Sequence, residues 1–254
     1  MPSAFQSNLI AVLALAALAL VLFGCAVRQR RQLRLTSAQS FWYCVNYLFT
    51  RLLWRARVDG ELSVAPEQGA ILVCNHRSSV DPCFIEIATN RAVHWMVAKE
   101  YFAHWALGRF LRLAVTIPTN RGAIDTQATK MAIRYAQRGE LVGVLPEGKI
   151  NRTERLLLPG RPGAAMIALK ARVPVIPCYI QGAPYDGSTL GCLLMPAKVT
   201  VRIGDPIDLS EFYGREDERE VVEQLTRRVL CSIAALADQP GFRPELAGKR
   251  AGRP

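Results

Sequence analysis

The apolar residues of this chain change pattern twice along its length. From Leu9 to Val27 they form an almost unbroken run of 19 residues, mostly Leu, Ala, Val and Ile, with Gly24 the only helix-weakening residue. A helix of that length extends about 28 Å, close to the hydrocarbon thickness of a bilayer, so the run predicts a transmembrane helix. A second apolar segment runs from Phe41 to Phe49 and on through Leu52-Leu53-Trp54, with aromatics and arginines interleaved. Rings with an apolar body and a polar edge suit the headgroup region of a membrane. Thr36 and Gln39 can form a capping box ahead of it, so an interfacial helix is expected over about 38–55. A helix packed on the rest of the chain is the competing reading.

From about residue 60 the pattern becomes one of strands alternating with helices. The runs Ala70–Cys74, Val93–Val97, Ala114–Pro118, Leu141–Leu145, Val175–Tyr179 and Ala197–Ile203 read as strands. Asp81 can cap a helix with Pro82 in its first turn. Asp125 can cap another that carries Ala128, Met131, Ala132 and Tyr135 on one face. Further helices are expected at Gly163–Arg172 and Glu216–Leu236. The alternation predicts an α/β domain with a mostly parallel sheet flanked by helices. The expected division is a membrane anchor at 1–57, a catalytic domain at 58–240 and a basic tail at 241–254, disordered from Arg243 to Pro254.

Charge narrows the choice of partner. The 254 residues carry a net charge of +11, which calls for an anionic partner. No acidic residue precedes Asp59, while Arg28, Arg30, Arg31, Arg34, Arg51, Arg55 and Arg57 follow the first apolar run. That placement favours a lipid surface, and no nucleic-acid module is recognisable. Arginines directly after the run, with no basic n-region before it, argue for an uncleaved single-pass anchor with the catalytic body in the cytoplasm. The seven scattered cysteines have no CxxC spacing; neither a disulfide framework nor a metal site is expected.

Four segments carry candidate chemistry, three of them just past predicted strands, where α/β sheets place their sites. The first is Asn75-His76-Arg77-Ser78-Ser79-Val80-Asp81. A histidine can accept a hydroxyl proton, and a carboxylate beside it fixes the tautomer. Five residues along a helix is about 140° of rotation, so the two side chains meet only if His76 lies in a turn and Asp81 at the helix start. The second is Pro118-Thr119-Asn120-Arg121-Gly122, where Arg121 can fork onto a phosphate. The third is Leu145-Pro146-Glu147-Gly148-Lys149, in which Glu147 faces a crevice and Gly148 lets the backbone approach a ligand. The fourth, Val173-Pro174-Val175-Ile176-Pro177, leads into a buried strand. His94 and His104 lack comparable company and read as structural.

These four blocks, in this order, resemble the glycerolipid acyltransferase family typified by 1-acylglycerol-3-phosphate acyltransferase. The Asn-His-x4-Asp hallmark is met by Asn75, His76 and Asp81, the second block by Arg121, the third by Pro146, Glu147 and Gly148, and the fourth by Val173–Pro177. Val97-Ala98-Lys99-Glu100 matches a further family segment. The resemblance spans roughly 58–210 and departs where Lys149-Ile150-Asn151 replaces the family's Thr-Arg-Ser, putting Ile150 at the arginine position.

The resemblance implies a glycerol-3-phosphate acyltransferase-like fold and acyl transfer from acyl-CoA or acyl carrier protein to a lysophospholipid, with no cofactor or metal. It makes His76 the general base and Asp81 its orienting partner, with Asn75, Arg121, Glu147, Gly148 and Lys149 around the acceptor. Amides near the following helix start are candidates for the oxyanion site. Lysophosphatidic acid is the expected acceptor. Another lysolipid, such as a lyso-ornithine lipid, is the alternative, and a non-catalytic lipid-binding protein a further one.

Overall fold

The structure, a computed structural model, describes residues 36–89, 91–120, 125–185, 187 and 191–248, with residues 6, 10, 12, 13, 17, 18, 20, 21 and 24 of the amino-terminal stretch. Thr36 closes the expected capping box with Gln39 and starts α1 (Ser37–Leu48), which runs on into a π-helical turn, Phe49–Leu53. The strands are β1 (Arg57–Asp59), β2 (Ala70–Cys74), β3 (Val93–Ala98), β4 (Ile117–Thr119), β5 (Leu141–Val144), β6 (Val175–Gln181) and β7 (Thr200–Ile203). The remaining helices are α2 (Asp81–Thr89), α3 (Trp105–Leu113), α4 (Thr126–Gln137), α5 (Gly163–Ala171) and α6 (Arg219–Leu236).

The seven strands form one sheet in the order β1-β7-β6-β2-β5-β3-β4. Every neighbouring pair is parallel except β6 with β7. Alternation along β2 sorts its side chains between two cores. Ile71 and Val73 face a layer built by α4, α5 and α6. Ala70, Leu72 and Cys74 face Trp54, Phe84 and Ile85 on the α2 side. Both faces are covered, which is why β2 reads as a continuous apolar run.

The chain leaves β2 toward β3 on one side and leaves β5 toward β6 on the other, although β2 and β5 are neighbours. Their carboxyl ends therefore open into a crevice, the usual ligand position in such a sheet. His76 follows β2 and Glu147 follows β5.

The reading of the 38–55 segment as a helix packed on the domain describes part of it. Tyr43, Cys44 and Trp54 are buried, with the Trp54 ring edge-on to Phe84 at 5.2 Å. Phe41, Trp42, Tyr47 and Leu52 are exposed. The described residues of the Leu9–Val27 run are helical, and Ile10, Val12, Leu13, Leu18, Leu20 and Val21 are exposed. Among the described residues no helix is long and apolar enough to cross a membrane. Most of that run and Arg28 to Arg34 lie outside the described residues.

The chain beyond residue 240 is tied to the domain as far as Gly248. Gly160 bonds Glu245 and Ala247 through the backbone, Leu246 is buried, and Arg155 pairs with Glu245. The part of the expected disordered tail from Arg243 to Ala247 is thus held against the domain, because Leu246 supplies an apolar anchor and Gly160 a backbone partner.

Candidate active site

His76 lies in the turn after β2, and Asp81 is the first residue of α2. His76 Nδ1 is 3.0 Å from Asp81 Oδ2, with the side chains 13% and 0% exposed. The same Oδ2 accepts the backbone N–H groups of Arg77 at 2.7 Å and Ser78 at 2.8 Å. Asp81 was expected to cap its own helix. Instead its carboxylate reaches backward and curls the 76–81 loop around itself, because those amides point at it from the turn. The three bonds fix both the loop and the ring. With Nδ1–H donated to the carboxylate, Nε2 is the ring nitrogen left to accept a proton.

The expectation for the oxyanion meets an obstacle here. The amides of Arg77 and Ser78 are taken by Asp81, and those of Asp81 and Cys83 bond the carbonyls of Ser78 and Val80.

Glu147 and Asn75 also bind backbone. Glu147 is 3% exposed; its Oε1 accepts His76 N–H at 2.7 Å and its Oε2 accepts Leu158 N–H at 2.8 Å. Burial raises its pKa above the ordinary carboxylate value, and those two amides hold it down. Asn75 donates to the Ile180 carbonyl at 2.8 Å and accepts the Ile180 N–H at 2.7 Å, joining the end of β2 to β6. His76 is thus clamped through its amide by Glu147, through its carbonyl by Asn151 N–H at 2.7 Å, and through its ring by Asp81.

Asn151 was missed as a site residue. It is buried, accepts from Thr153 N–H and Oγ1, and donates to the Arg155 carbonyl. Its polarity beside the unusual Ile150 was the available signal.

The other sequence candidates separate. Arg121 lies outside the described residues, between Asn120 and Asp125. Asp125 accepts Asn120 N–H at 3.1 Å, caps α4 at Ala128 and pairs with Lys99 at 3.1 Å. Gly148 has φ +69°, the left-handed region that favours glycine. Lys149 is exposed.

His94 and His104 have structural partners. His94 sits between the Val115 carbonyl at 2.9 Å and Glu140 at 2.5 Å and stacks on Tyr135, while His104 caps α3 at Leu107.

A cleft of about 2490 Å³ is lined by His76, Gly148 and Ile150 among others. Its wall runs from Gly148, Ile150 and His76 past Pro82 and Cys83 on α2 to Phe49 and Tyr43. The wall also carries charged groups, Glu86, Arg91 and Arg138 among them, and the combination of a base with many apolar residues suits a substrate with a reactive head and a hydrocarbon tail.

Known proteins resemble the chain over most of its length. The model of the family described as Acyltransferase matches residues 55–181, half of the chain. A 1-acyl-sn-glycerol-3-phosphate acyltransferase of Bacillus subtilis is 26% identical over 193 residues, covering 74% of this chain and 94% of that protein. One of Streptococcus pneumoniae is 26% identical over 175 residues, covering 68% of this chain and 62% of that protein. The crystal structure of the 1-acyl-sn-glycerophosphate (LPA) acyltransferase, PlsC, from Thermotoga maritima superposes with a TM-score of 0.59 at 22% identity, covering 82% of this chain and 83% of that one. At that identity the likeness shows a shared fold.

Proposed function

The chain belongs to the acyltransferase family, and from that premise we propose that it moves a fatty acyl group from a thioester to the free hydroxyl of 1-acyl-sn-glycerol 3-phosphate, giving phosphatidic acid. The observation that carries the reading is the His76–Asp81 contact at 3.0 Å beside an apolar cleft.

In this mechanism His76 Nε2 takes the acceptor's hydroxyl proton while Nδ1–H stays bonded to Asp81 Oδ2. The acceptor oxygen attacks the thioester carbonyl carbon and a tetrahedral intermediate forms. Its C–S bond then breaks, and the imidazolium returns the proton to the departing sulfur, releasing the ester and the free thiol of coenzyme A or acyl carrier protein. Asp81 stabilises the imidazolium between these steps and holds the ring. Asn75 and Glu147 serve by holding the backbone around His76. Gly148 shapes the wall of the acceptor site, the resemblance assigns Arg121 to the acceptor's phosphate, and Lys149 contributes charge from the surface. No metal or prosthetic group is required.

The acceptor is a membrane lipid, so the enzyme is expected at the membrane, held by a single span over 9–27, with the catalytic domain on the cytoplasmic side. The exposed Phe41, Trp42, Tyr47 and Leu52 would rest at the interface. A second reading, acylation of another lysolipid such as a lyso-ornithine lipid, is favoured by Ile150 in the cleft wall where the resemblance puts an arginine.

The test is acyl transfer by the detergent-solubilised chain with labelled acyl-CoA, then acyl carrier protein, against a panel of lysolipids. Phosphatidic acid as the main product supports the first reading, and a different main product the second. No product from either donor would contradict both.

A further inference from the structure

A phosphate-bearing acceptor needs a cation at the reactive end of the cleft, and among the described residues Arg77, Lys149, Arg152 and Arg155 are not part of the cleft wall. Arg77 Nη1 donates to the carbonyls of Asn151 at 3.2 Å and Thr153 at 2.6 Å. Arg152 lies over the Tyr185 ring at 5.8 Å, and Arg155 pairs with Glu245. Lys149 is exposed and absent from the cleft wall, while its neighbours Gly148 and Ile150 are part of it. Two further wall arginines, Arg91 and Arg138, precede β3 and β5 and so sit at the amino ends of the strands, opposite His76. Arg109 is on α3.

Arg161 occupies the required place. It lines the cleft together with His76, Gly148 and Ile150. Its backbone N–H donates to the Pro146 carbonyl at 2.8 Å, fastening it to the turn that carries Glu147. Its side chain lies across Gly148. A Cβ built on that glycine would meet Arg161 Nε at 2.8 Å and Cζ at 3.2 Å, so the arginine side chain lies in close contact with the turn at Gly148. The next residue back, Glu147, bonds the His76 amide at 2.7 Å. Guanidinium and base are therefore coupled through two consecutive residues of one rigid turn. A planar fork over the turn that holds the His76 amide suits a dianionic phosphate, which it can grip with two parallel bonds.

We infer that Arg161 is the acceptor-recognition residue of this site, binding the phosphate of the lysolipid and placing its hydroxyl against His76. The assignment rests on the proposed phosphate-bearing acceptor. It goes beyond the sequence blocks, none of which contains Arg161.

Binding separates this claim from the reaction. Affinities of 1-oleoylglycerol 3-phosphate and 1-oleoylglycerol would be measured for the full, detergent-solubilised chain without acyl donor, for wild type, Arg161→Gln and Arg161→Lys. Wild type should prefer the phosphate lipid by roughly tenfold or more, as charge-assisted bonds allow. Arg161→Gln should bring the two lipids within about twofold, and Arg161→Lys should keep part of the preference, since a point charge replaces the fork. Binding of 1-oleoylglycerol should not change in either variant, which also reports that the cleft is intact. A full preference retained by Arg161→Gln, or no preference in wild type, would overturn the assignment. Acyl transfer on the same samples scores the reaction separately: phosphate-selective binding that depends on Arg161, with no transfer, would reject the proposed reaction and keep the residue's role.

Discussion

Replacing Glu147 by glutamine exchanges one carboxylate oxygen for an NH2 group and leaves the shape unchanged. In the wild type, Oε1 accepts His76 N–H at 2.7 Å and Oε2 accepts Leu158 N–H at 2.8 Å, in a side chain that is 3% exposed. Glutamine has one acceptor oxygen, so its NH2 must face one of these amides and leave a buried donor unpaired. That penalty is about 1–3 kcal/mol, and the remaining bond loses its charge assistance. The loss is partly offset because the buried carboxylate, whose pKa burial raises, no longer carries a charge. A net loss of about 2 kcal/mol corresponds to a fall in Tm of roughly 4–8 °C for a domain of this size. The His76 turn stays held by Asp81 and Asn151 but loses one of its clamps, and a small displacement of the base lowers kcat by roughly ten- to a hundredfold. The KM values for acceptor and donor should stay within about twofold. Thermal melts and steady-state kinetics on one preparation measure all three. An unchanged Tm with an acceptor KM raised tenfold would refute the reasoning and return Glu147 to direct contact with substrate.

Two more outcomes follow from the same frame. Asn75→Ala removes both bonds to the Ile180 backbone, so it should lose about 2–4 kcal/mol in chemical denaturation; a loss under about 0.5 kcal/mol would show that the bridge between β2 and β6 is dispensable. Glu86 lines the cleft near Asn46, and burial of its carboxyl raises its pKa from 4.5 to about 7 against bonds from the Val93 amide and Asn46. A raised carboxyl pKa means that the folded chain holds the proton more tightly, so this contribution is full below about pH 4.5 and lost as pH rises to about 7. The stability of Glu86→Gln relative to wild type should therefore increase from pH 5 to pH 8, by about 2–3 kcal/mol, and an equal difference at both pH values would contradict this.

Several elements were readable in the residues because local chemistry and tertiary demand agree there. The run Ala70–Cys74 is apolar throughout because β2 is buried on both faces. Thr36 with Gln39, and Asp125 ahead of α4, show their capping chemistry in the sequence. Helical geometry set the condition for the His76–Asp81 encounter, His76 in a turn and Asp81 at the helix start, since a spacing of five excludes a shared helical face. Other elements left no such mark. β1 is a three-residue edge strand, Arg57–Asp59, with no apolar run, and it exists because β7 offers it a parallel partner. The strand expected at Ala114–Pro118 begins at Ile117, because the chain turns at Val115 with φ +52° after α3. α3 itself, Trp105–Leu113, was not foreseen. Within the site, residue type suggested a substrate contact for Glu147 and Asn75, but their partners are backbone groups 71 and 105 residues away in sequence. Arg161 was invisible for the same reason, since only the fold lays it across Gly148.

The central claim is that His76 is the base of an acyl transfer, and its most direct measurement is the rate of His76→Ala against wild type. Both proteins, purified in the same detergent, would be given saturating labelled acyl-CoA and 1-acyl-sn-glycerol 3-phosphate, with thermal melts run alongside. The account predicts that wild type forms phosphatidic acid and that the variant, still folded, is slower by about a hundredfold or more. A folded His76→Ala protein that keeps the wild-type rate would contradict it.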